Sequence, residues 1–500
     1  MVSLITVKNA SRRIGRRRIL RVEDLEIRQG EHWCFFGPNG SGKSLLANLL
    51  AKRHSDFAGS VTYSDGFEPS RDVHVVSFEE QQRLWARDNR LDMSEYADDA
   101  KDLGTTVLDL VKGSRPPKYE DSALLNKLME QLLLADYVRS GIRFLSSGQV
   151  RRALIARALY AFQPSAQQLL ILDDPLESID IDAQPRVRDT ISEFLREGFS
   201  SIQLCRRYGD ILPVATHLAV MESLQVVQHG KIDAVRESES YLRLLSCRPN
   251  LVREIPGKEC DKNSIEDQEP LIKMNGISAS YGGVTVFKGF DWSMGREDYV
   301  LIEGPNGCGK STLLSLINGE NHKAYGQSIT LFGRKKGSGE TIWELKEKFG
   351  VVSNELHNKY IKGWRVLEVV VSGFFDSVGL YDESGTREKE MAMEWLSTLG
   401  LNSLASSYYH EVSFGEQRLI LLARAMVKKP KILILDEPCV GLDDYYRQLI
   451  LNILDLIAEQ THTNLIYVSH VKDEKPRCIN VHLSFERGND GSFRIATHSV

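Results

Sequence analysis

The sequence predicts an α/β fold built twice in one chain. The first observation is a repeated motif, GPNGSGKS at 37–44 and GPNGCGKS at 304–311. The second is a repeated helical stretch, FLSSGQVRRALIARAL (144–159) answered by EVSFGEQRLILLARAM (411–426). The third is their spacing. Lys43 to Lys310 is 267 residues, Ser146 to Ser413 is also 267, and lysine to serine is 103 within each copy. Spacing conserved across whole units means duplication of a domain of about 235 residues. The expected layout is a first domain over 1–240, a polar linker over 241–268 and a second domain over 269–500. The linker is charged and poor in periodic apolar residues after the helical pattern YLRLLS.

Composition narrows the class. The 500 residues are 42% hydrophobic and 26% charged, ordinary for a globular chain with sizeable cores. A net charge of −5 argues against bulk nucleic-acid binding. The seven cysteines are scattered without CxxC spacing, which excludes a zinc or iron–sulfur site and implies reduced thiols in a cytoplasmic setting. No apolar run reaches the ~18–20 residues that span a bilayer, and LEVVVSGFF (367–375) belongs in a core. The Arg-rich start reads as a first strand, LITV, with the arginine cluster in the turn after it rather than as a transit peptide.

In each copy an apolar strand (WCFF, 33–36; YVLI, 299–302) runs into GxxxxGK[ST] and then an apolar helix. That is the context of a phosphate-binding P-loop. Glycines let backbone N–H groups turn inward, and the helix N-terminus adds partial positive charge. The binding loops are Gly37, Pro38, Asn39, Gly40, Ser41, Gly42, Lys43 and Ser44, and then Gly304, Pro305, Asn306, Gly307, Cys308, Gly309, Lys310, Ser311 and Thr312. Lys43 and Lys310 are expected to reach the outer phosphates, with Ser44 and Ser311 on Mg²⁺. A second pair of motifs, LLILDDPLESID (169–180) and LILDEPCVGLD (433–443), reads as buried strands ending in carboxylates. Asp173 and Asp436 are placed for the Mg²⁺ shell. Asp174 and Glu437 follow, where a residue would polarise an attacking water.

LSSGQ (145–149) and VSFGE (412–416), each opening a helix before the acidic strand, resemble the signature motif of ABC-type ATPases. The resemblance covers nearly the whole chain. It implies two P-loop domains, each a mixed sheet core with an inserted helical subdomain, arranged head-to-tail as an intramolecular dimer. Each ATP would then lie between one P-loop and the opposite signature: Ser146, Gly148 and Gln149, or Ser413, Gly415 and Glu416. The resemblance places Tyr281 under adenine, His470 as the switch histidine of the second copy, and Asp180 and Asp443 at dimer contacts. The first copy has Arg206 or Arg207 at the histidine position and no adenine aromatic. The family's glutamine is out of register, with Gln81 or Gln82 in one copy and Asn354 or Glu355 in the other.

These differences add up along composite sites. The site on the second P-loop keeps Glu437, His470 and Tyr281, while the site on the first has Asp174 and arginine. A carboxylate withdrawn by one methylene is displaced by about 1 Å, which can cost roughly 100-fold in rate. Arginine, unlike neutral histidine, cannot take up a proton. One hydrolytic site and one slow ATP-binding site are therefore expected. Among tandem ABC ATPases the sequence is most similar to the ModF-like group, associated by name with molybdate transport. That resemblance implies docking on an integral membrane permease, peripheral to the membrane. The alternative is a ribosome-associated ATPase, against which stand the short mixed linker and the non-basic C-terminus. A DNA-repair ATPase would need coiled coils that the 103-residue interval cannot hold.

Overall fold

The computed structural model describes residues 2–14, 18–53, 56–90, 104–115, 119–162, 167–180, 182–249, 251–257, 269–281, 284–305, 307–319, 321, 326–339, 341–360, 363–378, 385–469, 474–488 and 492–499. The chain divides into two compact units, Met1–Arg248 and Pro249–Val500. Tyr241 is buried in the first unit, its ring 5.4 Å from that of Phe36. Ile255 is buried in the second, where its amide donates to Gln460 Oε1 at 3.2 Å. The stretch 258–268 lies outside the described residues.

The first unit holds one mixed sheet. Its strands lie in the spatial order Ala58–Tyr63, Ser3–Ile14, Arg18–Arg28, Gln225–Lys231, His217–Glu222, His32–Phe36, Ser200–Cys205, Leu169–Asp173 and Val73–Val76. The last five run parallel and the first three antiparallel. The opening strand is longer than LITV suggested. It continues through Arg12 and Arg13, which pair with Leu20 and Ile19 in a hairpin. Apolar residues line one side of those strands, so burial of Leu20 and Val22 carries the arginines into the ladder.

The second sheet repeats this order strand for strand and adds the two-residue strand Arg334–Lys335 at its edge. Its parallel core is Val481–Arg487, Val300–Glu303, Asn464–Val468, Ile432–Asp436 and Phe349–Val352. Continuous apolar runs such as LLILD and ILILD are what strands covered on both faces require. One core lies against the P-loop helix and antiparallel strands, and another against helices inserted between the outermost and the acidic strands. In the first unit those inserts include Val107–Lys112, Ser122–Gln131 and the signature helix Ser147–Ala161. Val369–Val371, in the stretch read as core, are buried in the second unit. No helix among the described residues is long and apolar enough to cross a membrane.

Candidate active site

In a parallel sheet the loops at the carboxyl ends of the strands converge, and ligands bind there. Here that edge gathers the P-loop after His32–Phe36, the acidic pair after Leu169–Asp173 and the segment after Ser200–Cys205. Gly37 is forced by packing, since a Cβ there would lie 2.2 Å from the carbonyl oxygen of Met221. Gly42, at φ +100°, opens the helix Lys43–Leu50 in a conformation that L side chains rarely adopt. Gly309 does the same at φ +107° for Lys310–Ile317.

Lys43 is only 7% exposed, and its ammonium donates to the carbonyls of Gly37 at 2.7 Å and Pro38 at 2.9 Å. Lys310 repeats this, donating to Gly304 at 2.7 Å and Pro305 at 3.0 Å. Both lysines are therefore held inside their own loops. Ser44 Oγ donates to Asp173 Oδ2 at 3.3 Å, which brings together a hydroxyl and a carboxylate from distant parts of the sequence. Hard oxygen donors of this kind suit Mg²⁺. Burial, and then the charge of Asp174, push Asp173 up to about 6 against Arg206, Arg151 and Lys43. In the second unit burial and Glu437 push Asp436 up to about 6 against Lys310 and Arg418. A strand-end carboxylate and a hydroxyl at a P-loop are the oxygen donors that a divalent cation takes, so the residues present fit the ion.

The residues after the acidic strands sit in strained backbone. Asp174 has φ +44° and Glu437 φ +50°, and their amides donate at 3.1 Å to Leu204 and Val468 of the neighbouring strands. The two units then differ. In the first, Arg206 Nε lies 2.9 Å from Asp174 Oδ2 and Arg206 Nη2 lies 2.6 Å from Glu177 Oε2. Burial works against the charge on Arg206, but Asp174 and Glu177 outweigh it and raise its pKa. Burial likewise pushes Glu177 up, yet Arg206 and Arg151 hold it below its ordinary value. The register identifies which arginine stands at the histidine position. Asp173 pairs with Leu204 and Asp436 with Val468, so Arg206 corresponds to His470. His470 itself, Asn306 and the side chain of Tyr281 lie outside the described residues.

Both signature serines cap their helices. Ser146 Oγ accepts from the Gln149 amide at 3.3 Å while Gln149 Oε1 accepts from the Ser146 amide at 2.8 Å. Ser413 and Glu416 form the same box at 3.3 and 2.6 Å. Capping uses lone pairs of the hydroxyl oxygen and keeps the O–H as a donor. Asp443 also caps locally, accepting from the Tyr446 amide at 2.9 Å. Gln81 is fully buried and donates to Ser147 Oγ at 3.0 Å, tying its segment to the signature helix. Asn354 Oδ1 accepts instead from Arg418.

Sequence reasoning missed Glu177 and the buried arginines Arg151 and Arg418, each 1% exposed. Equal placement five residues after each signature serine was the available signal for the arginines. It also missed Tyr446, whose ring would lie 2.2 Å from a Cβ at Gly415.

A P-loop lysine beside a strand-end carboxylate, on the carboxyl edge of a parallel sheet, defines a P-loop nucleotide hydrolase, present twice. The ABC transporter family profile matches residues 20–177 and 287–440, and the chain belongs to that family. It is an ABC-type ATPase with two ATP-binding domains. The chain is 31% identical to the ABC transporter ATP-binding protein ModF of Escherichia coli over 97% of both chains. It is 25% identical to an uncharacterized ABC transporter ATP-binding protein of Schizosaccharomyces pombe, over 98% of this chain and 99% of the relative. Among solved structures, the archaeal ribosome recycling factor aABCE1, in complex with the stalk protein aP1, superposes with a TM-score of 0.59 at 18% identity. That match covers 98% of this chain and 90% of the other. The RNase-L inhibitor gives 0.57 at 19%, covering 99% and 91%. At such identity these two show the shared tandem fold.

Proposed function

We propose that the chain binds two ATP and spends them unequally, to energise a transporter as the ModF-like relatives are named to do. The intramolecular pairing of the two domains, each ATP between one P-loop and the opposite signature, is part of this reading. The observation that carries it is the likeness to ModF along the full length of both chains, together with a formed P-loop lysine cradle in each unit. Lys43 and Lys310 would exchange loop carbonyls for phosphate oxygens, and Ser44, Asp173, Ser311 and Asp436 would hold Mg²⁺. Bound there, Mg²⁺ offsets the charge that develops on the transferring phosphate.

At the second site Glu437 would accept a proton from water as its oxygen bonds to the γ-phosphorus. The bond to the β-phosphate oxygen breaks and ADP leaves. His470 is assigned to orient that water, and Tyr281 to stack on adenine. At the first site Asp174 stands in place of that glutamate, and turnover is slow. Ser146 and Ser413, at the starts of their capped helices, supply the opposite walls.

The test is Glu437→Gln, expressed tagged in its native cell, lysed in mild detergent with ATP and Mg²⁺ held throughout. Recovery of one integral membrane protein in stoichiometric amount supports the transporter reading and names the permease to assay. Ribosomal subunits in its place would overturn it in favour of a translation role.

A further inference from the structure

Asp174, Arg206 and Glu177 form one ion-pair cluster at the carboxyl edge of the first sheet, with side chains 12%, 12% and 19% exposed. Two short charge-assisted bonds, 2.9 and 2.6 Å, hold the guanidinium between the carboxylates. The second unit cannot build this cluster. Four residues past its metal-side aspartate stands Val440, where the first copy has Glu177, and the register gives it His470 for Arg206. Three positions therefore change together: aspartate for glutamate, glutamate for valine and arginine for histidine.

Resting on the reading that the first site is the slow one, we propose that Arg206 and Glu177 are positioning residues that occupy the Asp174 carboxylate, and that this clasp sets the turnover of the site. The guanidinium fixes the plane of the Asp174 carboxylate through Oδ2, so that the group cannot turn to meet an attacking water. Arg206 Nε takes Asp174 Oδ2, and arginine does not surrender its proton near neutral pH. Glu177 gives the guanidinium a second anchor, so that it cannot swing away with a phosphate. Lengthening Asp174 by itself would present a glutamate to the same guanidinium. Phosphate binding through Lys43 and Ser44 does not pass through the clasp, so ATP is retained while its hydrolysis is withheld.

The experiment isolates the first site in the full-length chain carrying Glu437→Gln. In that background, the multiple-turnover ATPase of Asp174→Glu by itself is the reference, because that change adds the methylene and keeps the guanidinium in place. Asp174→Glu, Glu177→Val and Arg206→His together are expected to raise it at least 10-fold, with ATP affinity unchanged. If Asp174→Glu performs as well as the triple variant, the methylene decides and the clasp is overturned, while the unequal-site reading stands. A triple variant that binds ATP yet stays at background also overturns it. If Glu437→Gln keeps most of the wild-type turnover, the unequal-site reading itself fails and takes the clasp with it.

A readout free of turnover is the thermal unfolding of the nucleotide-free protein carrying Asp174→Asn, Arg206→Met or both. The clasp predicts that the double variant loses much less in Tm than the two single losses combined. Additive losses would overturn it.

Discussion

Replacing Gly37 with alanine tests whether packing, rather than backbone freedom, fixes the entry to the first P-loop. A Cβ at Gly37 would sit 2.2 Å from the Met221 carbonyl oxygen and 2.9 Å from Ser41 Oγ, whereas real Cβ atoms essentially never come within 3.0 Å. The obstacle is backbone of the adjacent strand, so the loop itself has to move, by about 0.8 Å. Overpacking of this kind costs ~1–3 kcal/mol, and if the strain falls on the phosphate-binding conformation it weakens ATP roughly 5- to 150-fold. Gly304→Ala is the internal control, because its nearest obstacles are Phe485 Cβ at 2.7 Å and the rotatable Cys308 Sγ at 2.8 Å. Titration with a fluorescent ATP analogue, in chains where the other P-loop lysine is replaced by alanine, gives each site's affinity. A Gly37→Ala site that binds as tightly as the unaltered one would refute the packing argument. So would a Gly304→Ala site that suffers more.

Three further outcomes are expected. Glu437→Gln should lower steady-state ATPase by roughly 100-fold or more, the scale of a lost general base, with bound ATP retained in acid-quenched protein. Burial pushes His32 down to about 4, so the unfolded chain binds more protons below its ordinary value of 6.5. Its contribution is then present above pH ~6.5 and lost as the pH falls towards ~4, on the order of 3 kcal/mol, and denaturant unfolding should show that slope flattened in His32→Gln. Gly415→Ala should destabilise the chain by ~1–3 kcal/mol through its clash with the Tyr446 ring, and Tyr446→Ala should relieve most of that loss in a calorimetric scan.

The duplication, the α/β class and the P-loops were legible because each is written in contiguous residues. Glycines at fixed offsets, a lysine, a hydroxyl and an apolar strand before them leave a local pattern. The same holds for Ser146 and Ser413, whose capping boxes need only the residue three positions on. Length was less legible: the first strand runs on to Ile14 because its hairpin partner supplies the ladder, which the run LITV does not announce.

The site's electrostatics were not contiguous. Arg206 or Arg207 could not be chosen along the chain, since the choice depends on which residue of the neighbouring strand pairs with Asp173. Glu177 carries no signal along the chain, and only folding sets it 2.6 Å from that arginine. Gln81, one of two candidates for the family's glutamine, is buried against Ser147. The sequence alone determined that ATP chemistry is encoded twice, because phosphate binding is a property of one short loop and the helix it starts. Only the tertiary structure decided which charges meet the Asp174 carboxylate, because what the sheet brings within 3 Å of it comes from segments apart in the chain.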